Sequence, residues 1–198
     1  MKTEDLKPTS PEDFESLLRA HNLFREDDIT FDDLEEDLFV YTGSNFEIDA
    51  SVLDSMHIQG LIIVGDLKVD FLDVSSALGD FGVLCVTGDV KCKDMLYMTE
   101  CTSVCVSGNL TIDEIFYADC GNSGLHVHKK ITSKLFYNSQ CDVDGEESLQ
   151  FEFDESVTDE DLVSVFPGVK ATDGDDSQYE AIRAYFRERY PEPASESP

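Results

Sequence analysis

From residue 61 onward, apolar and polar positions alternate in short bursts, and most bursts break at a glycine followed by an acid or its amide. The phrases are LIIVGDLKV from Leu61, LCVTGDVKC from Leu84, VCVSGNLTI from Val104 and the worn LHVHKKITS from Leu125. Aligned on the turn, Leu67, Val90, Leu110 and Ile131 fall together, at steps of 23, 20 and 21 residues. Further columns are Leu61, Leu84, Val104 and Leu125; Ile63, Val86, Val106 and Val127; Val69, Cys92, Ile112 and Ser133; and Leu72, Met95, Ile115 and Phe136. Alternation of this kind is what a strand with one buried face requires.

A repeat of about 20 residues built from short strands predicts a solenoid. No single copy can bury its apolar face. Stacked about 4.8 Å apart, the columns become continuous rows inside a tube, with backbone hydrogen bonds running along its axis. Gly65, Gly88 and Gly108 mark one corner, where glycine is expected for its tolerance of positive φ. Asp66, Asp89 and Asn109 form the next column and are expected to hydrogen-bond the turn backbone.

The predicted fold is all-β: a right-handed parallel β-helix of about five coils with α-helices at both ends. Right-handed parallel crossovers are the rule. A leucine-rich-repeat-like solenoid is the alternative, but no LxxLxLxxN phrase is clean. The expected organisation is an N-terminal helical cap over 1–37, the repeat domain over 38–155, a C-terminal helical cap over 156–190 and a disordered tail over 191–198. The first coil is read in LFVYTGSNFEID, from Leu38, and a ragged last coil at CDVDG and LQFEF.

The caps answer a physical need, because a solenoid leaves open strand edges at its ends. Ser10-Pro11-Glu12-Asp13 starts a helix with Phe14, Leu17 and Leu18 on one face. A second short helix is expected around Phe31, Leu34 and Leu38, capped by Thr30. A third runs through Leu162 to Phe166. A last one, over 177–189, carries Tyr179, Ile182 and Phe186 on one face, with Arg183, Arg187 and Arg189 toward its C-terminus.

Charge then narrows the function. The 198 residues hold 43 acidic and 14 basic side chains, a net charge of −29. Phosphate binding needs the opposite sign, so nucleic acid and anionic membranes are excluded as partners; basic proteins are favoured. No run of apolar residues is long enough for a membrane span, and the start carries no secretion signal. The six cysteines form no CxxC pair. They are read as reduced thiols of a cytoplasmic protein.

Catalytic chemistry is not evident, and no cofactor is expected. His126 and His128 lie two apart and face outward with Cys105 one coil away, but zinc needs three or four ligands, and surface residues on a worn repeat are the simpler reading. Cys85 and Cys105 are expected as neighbours in adjacent coils with a packing role. DGDDSQYE lacks the glycine and final acid of a calcium loop. Neither a nucleophile elbow nor a phosphate loop occurs. The expectation is a binding protein, not an enzyme.

The phrases LIIVGDLKV, VLCVTGDVKCKDML, VCVSGNLTIDEIFY and GLHVHKKITSKLFY resemble the repeat of bacterial polymer-forming cytoskeletal proteins, β-helical relatives of bactofilins, over about residues 38–165. The resemblance implies a β-helix. It extends to small acidic proteins that act as immunity proteins beside secreted toxins. The function expected is therefore that of a monomeric immunity protein, or antitoxin, neutralising a basic toxin, with a nuclease as the expected toxin because nuclease toxins are commonly basic. Asp32, Asp33, Glu35, Glu36 and Asp37, with Asp94 and Glu114 as a stacked outward pair, are the candidate contacts. The alternatives are a self-assembling scaffold and a DNA mimic.

Overall fold

A computed structural model describes residues 6–23, 37–42, 58–78, 82–99, 101–153, 166 and 175–191. The chain divides into two compact units, Met1–Phe153 and Asp154–Pro198.

The first unit is a parallel β-solenoid of about four turns. Each turn lays down a short strand, turns a corner, and lays down a longer one. The short strands β3 (Gly60–Val64), β5 (Val83–Val86) and β7 (Ser103–Val106) stack in parallel, continued by the first part of β9 (Gly124–Ser139). The long strands β4 (Leu67–Asp73), β6 (Val90–Tyr97) and β8 (Leu110–Asp119) stack likewise, continued by the rest of β9. Two further strands flank the stack: β2 (Leu38–Thr42) lies on β3, and β10 (Asp142–Phe153) follows β9 along both of its parts. Each turn stacks two parallel strands instead of the one strand per repeat of a leucine-rich-repeat-like solenoid, and among the described residues the return segments hold one short helix, α2 (Val74–Leu78).

Four of the five apolar columns run as the repeat predicts. Leu61, Leu84, Val104 and Leu125 are in register, as are Ile63 with Val86, Val106 and Val127, and Leu67 with Val90, Leu110 and Ile131. All twelve are buried in one continuous core. The fifth column needs correction. β8 bulges between Ile112 and Ile115, adding a residue relative to β6. Met95 therefore pairs with Phe116, which stacks on Phe136 with ring centroids 4.5 Å apart, and Ile115 pairs with Asp94. A bulge shifts everything after it by one place, which a fixed period cannot register.

The corner works differently from expectation. Only Gly65 has a positive φ, 127°. Gly88 and Gly108 are needed for space. A Cβ on Gly88 would sit 2.2 Å from the Asp66 carboxylate and 2.6 Å from the Gly65 carbonyl oxygen, and one on Gly108 would meet Asp89 and Gly88 in the same way. The carboxylates sit there to hold the next turn. The Asp89 amide donates to Asp66 Oδ1 at 2.8 Å, and the Asn109 amide donates to Asp89 Oδ1 at 2.8 Å. The expected bonding of this column to turn backbone is thus present, running from one turn to the next.

The helix α1 (Pro11–Ala20) starts as predicted, with Ser10 accepting from the Asp13 amide at 3.2 Å. Hydrogen bonds from the backbone and from Ser10 hold the Glu12 carboxyl below its usual range. α1 does not sit over an end. Phe14, Leu18 and Leu23 pack with Val40, Ile62, Cys85 and Cys105, the outward-facing residues of the short-strand ladder. The end itself is closed by the segment before the helix. Leu6 joins the tube core, and β1 (Lys7–Pro8) pairs antiparallel with the edge of β2. A two-residue edge strand containing proline offers little for another chain to extend.

In the second unit, α3 (Asp175–Arg189) buries Ile182 and Phe186, and Phe166 meets Tyr185 and Phe186 edge to face. The helix expected through Leu162, the one around Phe31 and the tail lie outside the described residues.

Candidate partner-binding surface

The acidic charge is not spread evenly along the chain. Residues 58–141, which form the turns, carry 10 acidic and 6 basic side chains. The other 33 of the 43 acids lie in 1–57 and 142–198. The outward column of the long strands even begins with two lysines: Lys68, Lys91, Thr111 and Thr132 are in register. Lys91 pairs with Asp113 at 3.3 Å and Lys93 with Glu114 at 3.5 Å. The body of the solenoid is therefore close to balanced, and an acidic face along it is not what the turns present.

The predicted contacts separate accordingly. Asp94 is fully buried and accepts the Ile115 amide at 2.9 Å. Its role is to bridge the β8 bulge, so it is not a surface contact. Glu114 is half-exposed and ion-paired, and the bulge removes it from register with Asp94, so the expected stacked pair does not exist. Asp37 is exposed, with φ 57°, and its carbonyl accepts the Gln59 amide at 3.2 Å. Asp32, Asp33, Glu35 and Glu36 lie outside the described residues.

Beyond the exposed acids of α1 and Asp37, the described residues present an acidic run on β10. Asp142, Asp144, Glu146 and Glu147 are all exposed. β10 pairs with β9 on one side and, among the described residues, with nothing on the other. Among the described residues nothing covers this end: Leu125 and Ile131 are buried, whereas their register partners Val143 and Glu147 are half-exposed and exposed. Glu147 thus occupies the inward column of Leu67, Val90, Leu110 and Ile131, at the mouth of the tube. The ragged last coil read at CDVDG and LQFEF falls on this strand; what the repeat did not reveal is its exposed row of acids, because DVDGEE keeps neither the glycine-acid corner nor the aliphatic spacing. The available signal was the run of acids straight after the last legible copy.

At the corner beside β10, β9 spends three residues, Val127 to Lys129, where β10 spends Gly145 alone. Lys129 stands where earlier turns have glycine. The result is a groove of about 780 Å³ lined by Asn109, His128, Lys129, Lys130, Asp144 and Glu146. His126, in contrast, is buried and is the next residue of the outward column after Cys105. Among the described residues no three His, Cys, Asp or Glu side chains gather closely enough for a metal ion, and no helix is long and apolar enough to cross a membrane.

The thiols are placed for packing. Cys85 and Cys105 are direct register partners beneath α1. A hydrogen bond that the Cys85 thiol gives to Cys105, and then burial, push the Cys85 thiol well up. Burial, reinforced by the nearby Asp94 charge, does the same to Cys92. A raised thiol is a poor nucleophile at neutral pH. Comparison with family models, with curated proteins and with solved structures finds no match for this chain.

Proposed function

We propose that the protein is an acidic binding protein that neutralises a basic protein, with a nuclease toxin as the favoured partner. The observation that supports this reading is the separation of charge: a nearly balanced solenoid body, ending in an exposed acidic strand whose outer edge is unpaired among the described residues. A basic protein would be drawn to that end at a raised, salt-sensitive rate. We read the chain as a non-enzymatic monomer acting in the cytoplasm, its solenoid right-handed and of about five coils once β2 and β10 are counted.

The self-assembling scaffold is less well supported. Coaxial stacking needs two complementary ends. Residues 6–9 occupy the edge of β2, so the end that β2 forms is already paired and is not free for a stacked copy. The DNA-mimic reading shares the acids, but a strand spacing near 4.8 Å is a poor match to backbone phosphates.

The test is capture from the source cells on tagged protein, washed at low and then high salt. A captured basic protein is then assayed for nucleic-acid cleavage with and without the acidic protein. Salt-sensitive capture of one basic protein whose activity is blocked supports the proposal. Filaments of the protein alone at physiological salt would replace it with the scaffold.

A further inference from the structure

Four of the six cysteines stand in two facing pairs, and the members of each pair lie one turn apart: Cys85 with Cys105, and Cys120 with Cys141. The first pair belongs to the regular ladder of short strands and packs with Phe14, Leu18 and Leu23. The second lies in the tube core, just after β8 ends and just before β10 begins. The Cys120 amide donates to the Ser139 carbonyl at 3.3 Å and the Asp142 amide to the Ser123 carbonyl at 3.0 Å, so residues 139–142 run alongside 120–123. Asn138 fixes Cys141 twice: its Oδ1 accepts the Cys141 amide at 3.3 Å, and its Nδ2 donates to the Cys141 carbonyl at 3.1 Å. The Cys120 thiol gives a hydrogen bond to Cys141.

A disulfide joins only cysteines that the backbone already holds side by side, and this pair meets that condition. Cys141 is the least covered of the four paired thiols, 7 % exposed against 2 % for Cys120, 4 % for Cys105 and 0 % for Cys85. A small oxidant therefore meets Cys141 first. The hydrogen bond to Cys141, and then burial, push the Cys120 thiol up, which makes it the poorer first nucleophile. Its place against Cys141 offsets that low reactivity once Cys141 is oxidised.

We propose that Cys120 and Cys141 form a redox-sensitive link, which hydrogen peroxide closes into a disulfide tying the end of β8 to the start of β10 and which a thiol reductant reopens. In the first step the Cys141 sulfur attacks one peroxide oxygen, the O–O bond breaks, and a sulfenic acid and one water result. In the second the Cys120 sulfur attacks the Cys141 sulfur. An S–S bond forms, the S–O bond breaks, and the hydroxyl leaves as a second water with the Cys120 proton. Two electrons pass from the thiols to the peroxide. The bond would hold the acidic strand where it leaves the core, whatever that strand binds. The inference stands apart from the basic-partner reading.

The test treats the reduced full-length protein with hydrogen peroxide, blocks remaining thiols in denaturant, digests without reductant and maps the products by mass spectrometry. The expected product has lost two hydrogens, yields one cross-linked peptide pair holding Cys120 and Cys141, and reverts with dithiothreitol. Its Tm is expected to rise by about 5 °C. Cys120→Ser should stop at a sulfenic acid on Cys141, trapped by dimedone, and Cys141→Ser should give no link to Cys120. The map on wild type decides the matter even where a variant fails to fold. A link between Cys85 and Cys105 instead, a mixture of pairings, oxidation of Cys101 alone, or a linked form that melts no higher than the reduced one overturns the proposal.

Discussion

Gly108→Ala puts the corner ladder under direct strain. A Cβ at this position would lie 2.2 Å from Asp89 Oδ1, 2.5 Å from the Gly88 carbonyl oxygen and 2.7 Å from the Gly88 carbonyl carbon. Two of these are backbone atoms, so no side-chain rotation relieves them. The turn must open. Opening it stretches the Gly108 amide bond to Gly88 O, now 3.0 Å, and draws the Asp89 carboxylate off the Asn109 amide and side chain, at 2.8 and 3.1 Å. A neutral backbone bond contributes about 1 kcal/mol net and a charged one about 1.5–3 kcal/mol, the latter reduced here because the corner faces water. The expected destabilisation is about 2 kcal/mol. For a unit of this size that lowers Tm by about 4–8 °C, read by far-ultraviolet circular dichroism. Adding Asp89→Ala should cost less in the Gly108→Ala background than alone, by about 1 kcal/mol, since the two act on the same contact. Ser107→Ala, one residue away, removes only a 3.4 Å bond to the His21 carbonyl and should change stability by about 0.5 kcal/mol or less. Gly108→Ala melting with wild type would refute the steric account of these glycines.

Other outcomes follow from the same register. Leu110→Asp places a carboxylate inside the tube and should abolish cooperative unfolding, whereas Thr111→Asp, on the outward column, should melt near wild type; equal effects would mean the register is wrong. Asp94→Ala should cost about 2–3 kcal/mol in urea denaturation by orphaning the buried Ile115 amide, yet leave partner capture unchanged, and reduced capture by a fully folded variant would return Asp94 to the surface. Of the six thiols only Cys101 is half-exposed, so one fast equivalent should react with Ellman's reagent in the native state and all six in urea; several fast equivalents would contradict the buried placement. Because the folded state holds Glu12 below its usual range, its contribution to α1 is present above the ordinary carboxylate range and lost as pH falls through the lowered value. Wild type and Glu12→Gln should then converge in stability at acid pH, and a constant difference at every pH would remove that role.

The solenoid was legible because one physical demand, a filled tube, is met by the same residue types in each copy. Val90, Leu110 and Ile131 could be aligned by spacing alone. Asp94 and Glu114 could not, because the β8 bulge leaves no mark in composition and changes the step from 20 to 21 residues just where it matters. The corner glycines were identified correctly and explained incorrectly at two positions: their crowding depends on carboxylates one turn away. The place of α1 was hidden for a related reason. Ile62, Cys85 and Cys105 are apolar at outward positions, which signals a covered face, but only the packed helix shows what covers it. The acidic end escaped attention because net charge is a sum, and a sum does not reveal that the turns are nearly balanced.

The central claim is that the acidic end, and not the charge of the chain as a whole, recruits a basic protein. Side-by-side capture tests it, using wild type and a variant carrying Asp142→Asn, Asp144→Asn, Glu146→Gln and Glu147→Gln, each first shown to melt normally. The account predicts one basic protein retained by wild type at low salt, released at about 0.5 M salt where screening is strong, and absent from the variant. Equal recovery on both proteins would contradict it, and would move the binding surface away from β10.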